Sequence, residues 1–306
     1  MKATQVAAVV ATGAGIGAGA LAGYTTWTLN APRRPALPYT LTPFELGVPA
    51  EEVRFRSDDG VDLAGWWMDG PAAAVSVICV HGHRGNKADM LGIGTGLLRA
   101  GHSVFMFDFR GNGDSGDGPQ SLAHHEQRDL RAAIDWVAQA RPGTRIAVVA
   151  YSMGAATAIL TAAGDPRVEA LVLDSPFATM SDVIMAAYRR YRLPSGRLVP
   201  VANLVIRVRH GYAFAEVRPI EAMPALAPRP ILLVHGTADS IIPFEHAERL
   251  LAAAAPGTAQ LVPFEGADHC GAYFTDRPGY SSRVDAFLRE FLPAQAPDQS
   301  SAVLDA

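Results

Sequence analysis

The sequence predicts an α/β fold, a mostly parallel central sheet with helices on both faces, and three observations predict it. From residue 75 to residue 291, short β-branched runs alternate with segments of helical pattern; the runs are predominantly apolar; and polar or glycine-containing turns follow their ends. Strands that are nearly continuous in apolar residues belong in a sheet buried on both faces. The 306 residues accommodate one such domain of about 240 residues with a leader before it.

Taken in chain order, the first element is the uncharged stretch from Ala3 to Asn30, between Lys2 and Arg33-Arg34. As a helix it would reach about 40 Å, against about 30 Å for a hydrocarbon core. Residues 1–31 therefore read as a single N-terminal helix anchoring the chain in a membrane. The sequence Ala20-Leu21-Ala22 resembles a signal-peptidase site, so secretion after cleavage is the alternative. Continuation of the apolar run through Trp27 and Leu29 to a basic stop favours the anchor. Residues 32–50 are proline-rich and read as an extended linker.

The domain spans residues 51–293 and opens with a hairpin, 52–56 and 61–68, over Ser57-Asp58-Asp59-Gly60. Strands near 75–80, 103–107, 145–150, 169–173, 230–235 and 260–264 follow, interleaved with helices near 87–100, 121–140, 152–164, 244–254 and 281–291. An insert at about 176–228 reads as a small helical lid. It mixes Met180, Met185, Tyr188 and Tyr191 with Arg189, Arg190, Arg192 and Arg197. The first group suits an acyl pocket; the arginines either meet an anionic group or form a solvated basic face. Residues 294–306 read as a disordered tail.

Composition narrows the function classes. A formal net charge of −4 gives no reason to expect a nucleic-acid partner. Two cysteines, Cys79 and Cys270, argue against a disulfide framework. His83, His124, His125 and His210 lack metal-ligand spacing, and Gly111 and Gly113 lack the lysine of a phosphate loop. Neither a metal nor an organic cofactor is implied. The turn from Asp108 to Ser115 is expected to shape a pocket floor instead.

The chemistry sits at strand ends, where parallel sheets place it. In Val148-Val149-Ala150-Tyr151-Ser152-Met153-Gly154 a strand delivers one serine, between small residues, into a helix start. This reads as a nucleophile elbow, with Ala150 where G-x-S-x-G has its first glycine. A serine hydroxyl needs a neutral imidazole to take its proton as it attacks a carbonyl. His269, in the loop Glu265 to Gly271, is the candidate base. A carboxylate must fix the imidazole tautomer and stabilise the imidazolium. Asp239, ending Val234-His235-Gly236-Thr237-Ala238-Asp239, is the candidate; Asp174 also ends a strand and is its rival. The oxyanion needs two N–H donors. They are expected from the backbones of Met153, after the serine, and His83, in the loop after the strand 75–80. Asp268, adjacent to His269, reads as a turn residue, and His81 and His235 as histidines holding loops.

Five segments in this order, His81-Gly82-His83-Arg84-Gly85, Asp108 to Ser115, the serine elbow, His235 to Asp239 and Asp268-His269, resemble the α/β-hydrolase superfamily. The resemblance covers about residues 53–292. Within the superfamily the chain most resembles the BEM46-like, serine-aminopeptidase-like hydrolases with an N-terminal anchor. It implies the α/β-hydrolase fold, the order nucleophile, acid, base, and a serine hydrolase that cleaves carboxylic esters or thioesters through an acyl-enzyme on Ser152. The implied partners are a small ester, thioester or acyl substrate and, through the anchor, a membrane. A small-peptide or aminopeptidase-like amide hydrolase is the alternative within enzymes, and a non-catalytic binding module the alternative of another class.

Overall fold

Eight strands make the central sheet of the computed structural model, which describes residues 17, 19–31, 41–70 and 75–293. They are β1 (Glu51–Arg56), β2 (Asp62–Met68), β3 (Val75–Val80), β4 (Ser103–Asp108), β5 (Arg145–Tyr151), β6 (Val168–Asp174), β7 (Ile231–Gly236) and β8 (Ala259–Phe264). Their order is β1-β2-β4-β3-β5-β6-β7-β8. The hairpin β1-β2 and the pair β2-β4 are antiparallel; every other pairing is parallel.

The helices are α1 (19–30), α2 (Leu91–Arg99), α3 (Glu126–Ala140), α4 (Met153–Ala162), α5 (Met180–Arg190), α6 (Ser195–His210), α7 (Pro219–Ala222), α8 (Glu245–Ala253), α9 (Ala272–Thr275) and α10 (Arg277–Phe291). Side chains alternate between two cores because strand residues point to opposite faces. Ile78 and Val80 join one core with Leu130 of α3 and Ile159 of α4, while Val77 and Cys79 join the other with Leu97 of α2 and Leu288 of α10. This is why β3 and β5 are apolar at every central position. The insert after β6 contains α5, α6 and α7, with a 3-10 turn at Phe214–Glu216.

Three helix starts differ from the sequence pattern, each for a local reason. The helix expected near 121 begins at Glu126, because Leu122 and Ala123 take φ of 54° and 81°. The Glu126 carboxylate reaches back to accept from the N–H groups of Ser121 at 2.7 Å and Ala123 at 2.9 Å. The segment near 87 starts as a 3-10 turn, Lys87–Met90, capped by the Asn86 side chain. The last helix starts at Arg277, capped by Asp276, whose carboxylate accepts from the N–H of Gly279 at 3.0 Å.

The largest departure lies at the front of the chain. Residues 19–30 form α1, and this helix is seated on the domain: Ala22 and Thr26 are fully buried and Asn30 nearly so. The hydroxyl of Tyr212 donates to Asn30 Oδ1 at 2.8 Å. Among the described residues no helix is long and apolar enough to cross a membrane. Residues 19–30 of the expected membrane helix are packed against the domain. Residues 1–16 and 18 of the expected anchor, 32–40 of the expected linker and the tail 294–306 lie outside the described residues.

Candidate active site

The turn between β5 and α4 holds Ser152 at φ 53°, ψ −118°, a conformation that side chains rarely adopt and that aims its hydroxyl out of the sheet edge. The N–H of Ser152 donates to the carbonyl of Asp174 at 2.8 Å, tying the turn to β6. Gly154 is required here, since a Cβ on it would stand 2.8 Å from the Val80 carbonyl oxygen and closer still to that of His81. Ala150 is fully buried and its methyl is accommodated. The small residues thus allow the elbow to lie against the end of β3.

The acid and the base come from the loops after β7 and β8, which are pinned together. The N–H of Ala238 donates to the Ala267 carbonyl at 3.1 Å. The Oδ1 of Asp268 accepts from the N–H of Ser240 at 2.7 Å and from that of His269 at 2.8 Å. Asp268 is therefore a turn residue that also fastens one loop to the other.

His269 lies between the other two candidates. Its Nδ1 is 2.7 Å from Asp239 Oδ2 and its Nε2 is 2.8 Å from Ser152 Oγ. A carboxylate only accepts, so Nδ1 carries the proton and Nε2 is free to accept from the serine. Asp239 Oδ1 accepts from the N–H groups of Ile241 at 2.9 Å and Ile242 at 2.8 Å. Burial pushes this carboxyl up, but hydrogen bonds from His235 and His269 outweigh it and hold the group well below the usual carboxylate range.

Asp174, the rival acid, engages other groups: Ser175 Oγ donates to it at 3.0 Å and Tyr280 Oη at 3.0 Å. Burial raises its carboxyl to about 6. Ser175 Oγ in turn accepts from the N–H of Cys270 at 3.1 Å, so Asp174 braces the loop that carries His269. The thiol of Cys270 is pushed up by burial and has no strand-to-helix turn behind it.

Gly82 and His83 follow β3 and face the elbow; a Cβ on Gly82 would be 3.3 Å from Ser152 Cβ. His81 holds this loop: Nδ1 donates to the Gly82 carbonyl at 2.7 Å, and Nε2 accepts from the N–H of Phe109 at 3.0 Å. His83, Met153 and Ser152 line one cavity of about 730 Å³. The rest of its lining is mostly apolar, among it Phe177, Met180, Ile184 and Tyr188, with Arg84, Thr25 and Thr28 beside them, and none of the described residues lining it is acidic. Arg189, Arg190 and Arg192 of the insert are exposed and outside it, which favours the solvated basic face.

The turn from Asp108 to Ser115 does not line the cavity, and the expected pocket floor is corrected. It is an ionic anchor instead. Asp108 receives Lys87 Nζ at 2.6 Å, both side chains buried, and Arg110 pairs with Asp129 at 2.7 Å and Asp59 at 2.8 Å. Among the described residues no three His, Cys, Asp or Glu side chains gather as metal ligands.

Two parts of the site escaped sequence reasoning. One is the approach of His235 to the acid: it holds a loop, as expected, through the Ile242 carbonyl at 2.8 Å, and its Nε2 also lies 3.2 Å from Asp239 Oδ2. The other is α1, which lines the cavity with Leu21, Tyr24, Thr25, Thr28 and Leu29, a one-sided helical spacing inside a stretch that looks uniformly apolar.

Residues 75–197 match a family model described as the alpha/beta hydrolase fold, and residues 208–299 match one described as TAP-like protein. The chain is 31% identical over 260 residues to the uncharacterized protein YfhR of Escherichia coli strain K12, covering 80% of this chain and 83% of that protein. It is 26% identical over 276 residues to the alpha/beta hydrolase domain-containing protein WAV2 of Arabidopsis thaliana, covering 86% of each. Among solved structures, the esterase Pf2001 of Pyrococcus furiosus superposes with a TM-score of 0.70 at 25% identity, covering 86% of this chain and 97% of that one.

Proposed function

The chain belongs to the α/β-hydrolase superfamily, and from that membership we propose that it is a serine hydrolase cleaving carboxylic esters, thioesters included, through an acyl-enzyme on Ser152. The observation that carries the proposal is the hydrogen-bonded chain Ser152, His269, Asp239, with 2.8 Å and 2.7 Å between its polar atoms, at the mouth of an apolar cavity.

In this reading Ser152 Oγ attacks the ester carbonyl while His269 Nε2 takes its proton. Asp239 keeps the proton on Nδ1 and offsets the positive charge of the imidazolium without itself being protonated. The N–H groups of Met153 and His83 donate to the oxyanion, each worth about 2.7–4 kcal/mol of barrier. His269 then gives its proton to the departing alkoxide or thiolate, and a water activated by the same nitrogen releases the acid.

Ester cleavage is favoured over amino-terminal peptide cleavage by the cavity lining. A peptide ammonium would call for a carboxylate in the pocket, and the described lining offers apolar side chains instead. The likeness to BEM46-like, serine-aminopeptidase-like hydrolases is compatible with either leaving group, since the same three residues serve both. Membrane attachment through residues ahead of α1 is a part of the proposal that the docked helix neither needs nor opposes.

A fluorescent phosphonate that traps activated serines tests the reading on the full-length protein. Labelling of wild type and none of Ser152→Ala is expected; equal labelling of the two would refute it.

A further inference from the structure

One wall of the cavity beside Ser152 comes from outside the β-sheet domain. Leu21, Tyr24, Thr25, Thr28 and Leu29 follow i, i+3, i+4 spacing on one side of α1 and face the cavity, while Ala22, Thr26 and Asn30 are buried on the adjoining side. A second wall is α5, through Met180, Val183, Ile184 and Ala187. A helix read from sequence as an anchor thus contributes five of the residues around the nucleophile.

Its seat is built. The last carbonyls of a helix have no partner within it, and here two of them are taken by the loop that also carries His83. The His83 ring Nε2 donates to the Leu29 carbonyl at 2.9 Å, and Arg84 donates to the Thr28 carbonyl. Burial lowers His83 to about 4, so the ring is neutral at pH 7 with its proton on Nε2. The Tyr212 hydroxyl fixes Asn30 from the other side at 2.8 Å.

We propose that α1 is a wall of the substrate site, and that the substrate is an ester whose medium-to-long aliphatic acyl chain lies between α1 and α5, with Leu21 setting the length accepted. The inference rests on the esterase reading above. The cavity volume of about 730 Å³ and its apolar lining match such a chain. Each methylene buried there raises kcat/KM by up to about fourfold.

The test is a chain-length series of p-nitrophenyl esters, acetate to laurate, on the full-length protein, with the phosphonate label run in parallel. Wild type is expected to favour octanoate over acetate by tenfold or more. Leu21→Trp, which narrows the cavity at α1, is expected to cut that octanoate-to-acetate ratio at least tenfold, and Leu21→Ala to move the optimum to a longer chain. Ala20→Trp, on the exposed side of α1, keeps the wild-type ratio. Should Leu21→Trp fail to fold, Leu21→Ala carries the test alone. Labelled Leu21 variants with the wild-type chain-length profile would overturn the proposal, as would a chain preference seen only when the alcohol is lengthened, as in octyl acetate. Absence of label on wild type would instead count against the esterase reading.

Discussion

His235 and His269 flank the same oxygen: Oδ2 of Asp239 lies 3.2 Å from one imidazole and 2.7 Å from the other. Nε2 of His235 faces only acceptors, Asp239 and the Ile242 carbonyl, so it bears the proton, and Nδ1, buried without a partner, does not. His235 therefore holds the Ile242 carbonyl, and the N–H of that same residue, with that of Ile241, fixes where Asp239 points. His235→Phe removes this donor, and kcat is expected to fall about tenfold, about 1.4 kcal/mol of barrier, with KM little changed. Steady-state kinetics on a soluble ester check it; an unchanged kcat would show that Asp239 is positioned by Ile241 and Ile242 alone.

The elbow makes a second prediction. Gly154→Ala would press a methyl against the carbonyl oxygens of Val80 and His81, main-chain atoms that cannot swing away. The expected cost is about 2 kcal/mol or more, read by urea unfolding. Ala150→Gly, at the other flank, only removes a methyl from a site that already accommodates it and is expected to cost less.

A pH dependence follows from Asp174. Its carboxyl is raised by burial from 3.8 to about 6, so between those values the folded protein holds a proton that the unfolded chain has released. The contribution of this group to stability is full below pH 3.8, declines as pH rises towards 6, and is level above, a loss of about 3 kcal/mol at most. Asp174→Asn abolishes the decline. Unfolding free energies at pH 4 and pH 7 are expected to show the variant gaining on wild type by about 1–3 kcal/mol at the higher pH. An equal gap at both pH values would contradict it.

The buried pair of Lys87 and Asp108 gives a fourth. Lys87→Met leaves the Asp108 carboxylate buried without its cation, although backbone N–H groups of Lys87 and Asp114 still reach it. The expected destabilisation is about 3–5 kcal/mol, measured by thermal or urea unfolding.

Much of this architecture is legible in the residues. The predominantly apolar runs at Val75–Val80 and Ile146–Tyr151 state that both faces of these strands are covered, and small residues around Ser152 state that the chain must turn tightly there. Asp239 and His269 are legible because each closes a strand with a polar turn. What was not legible depends on contacts distant in sequence. Nothing local distinguishes α1 packed against Tyr212 and His83 from the same apolar residues in lipid. Asp108 and Gly111 look like pocket furniture until Lys87, 21 residues earlier, is seen to meet the carboxylate.

The most direct test of the central claim is the rate of p-nitrophenyl butyrate hydrolysis by full-length wild type and Ser152→Ala, with the acylated peptide mapped after rapid acid quench. The account predicts a fall in kcat/KM of about 10⁴-fold or more in the variant, and an acyl group found on Ser152 in wild type. Undiminished hydrolysis by Ser152→Ala, or an acyl group on another residue, would contradict it.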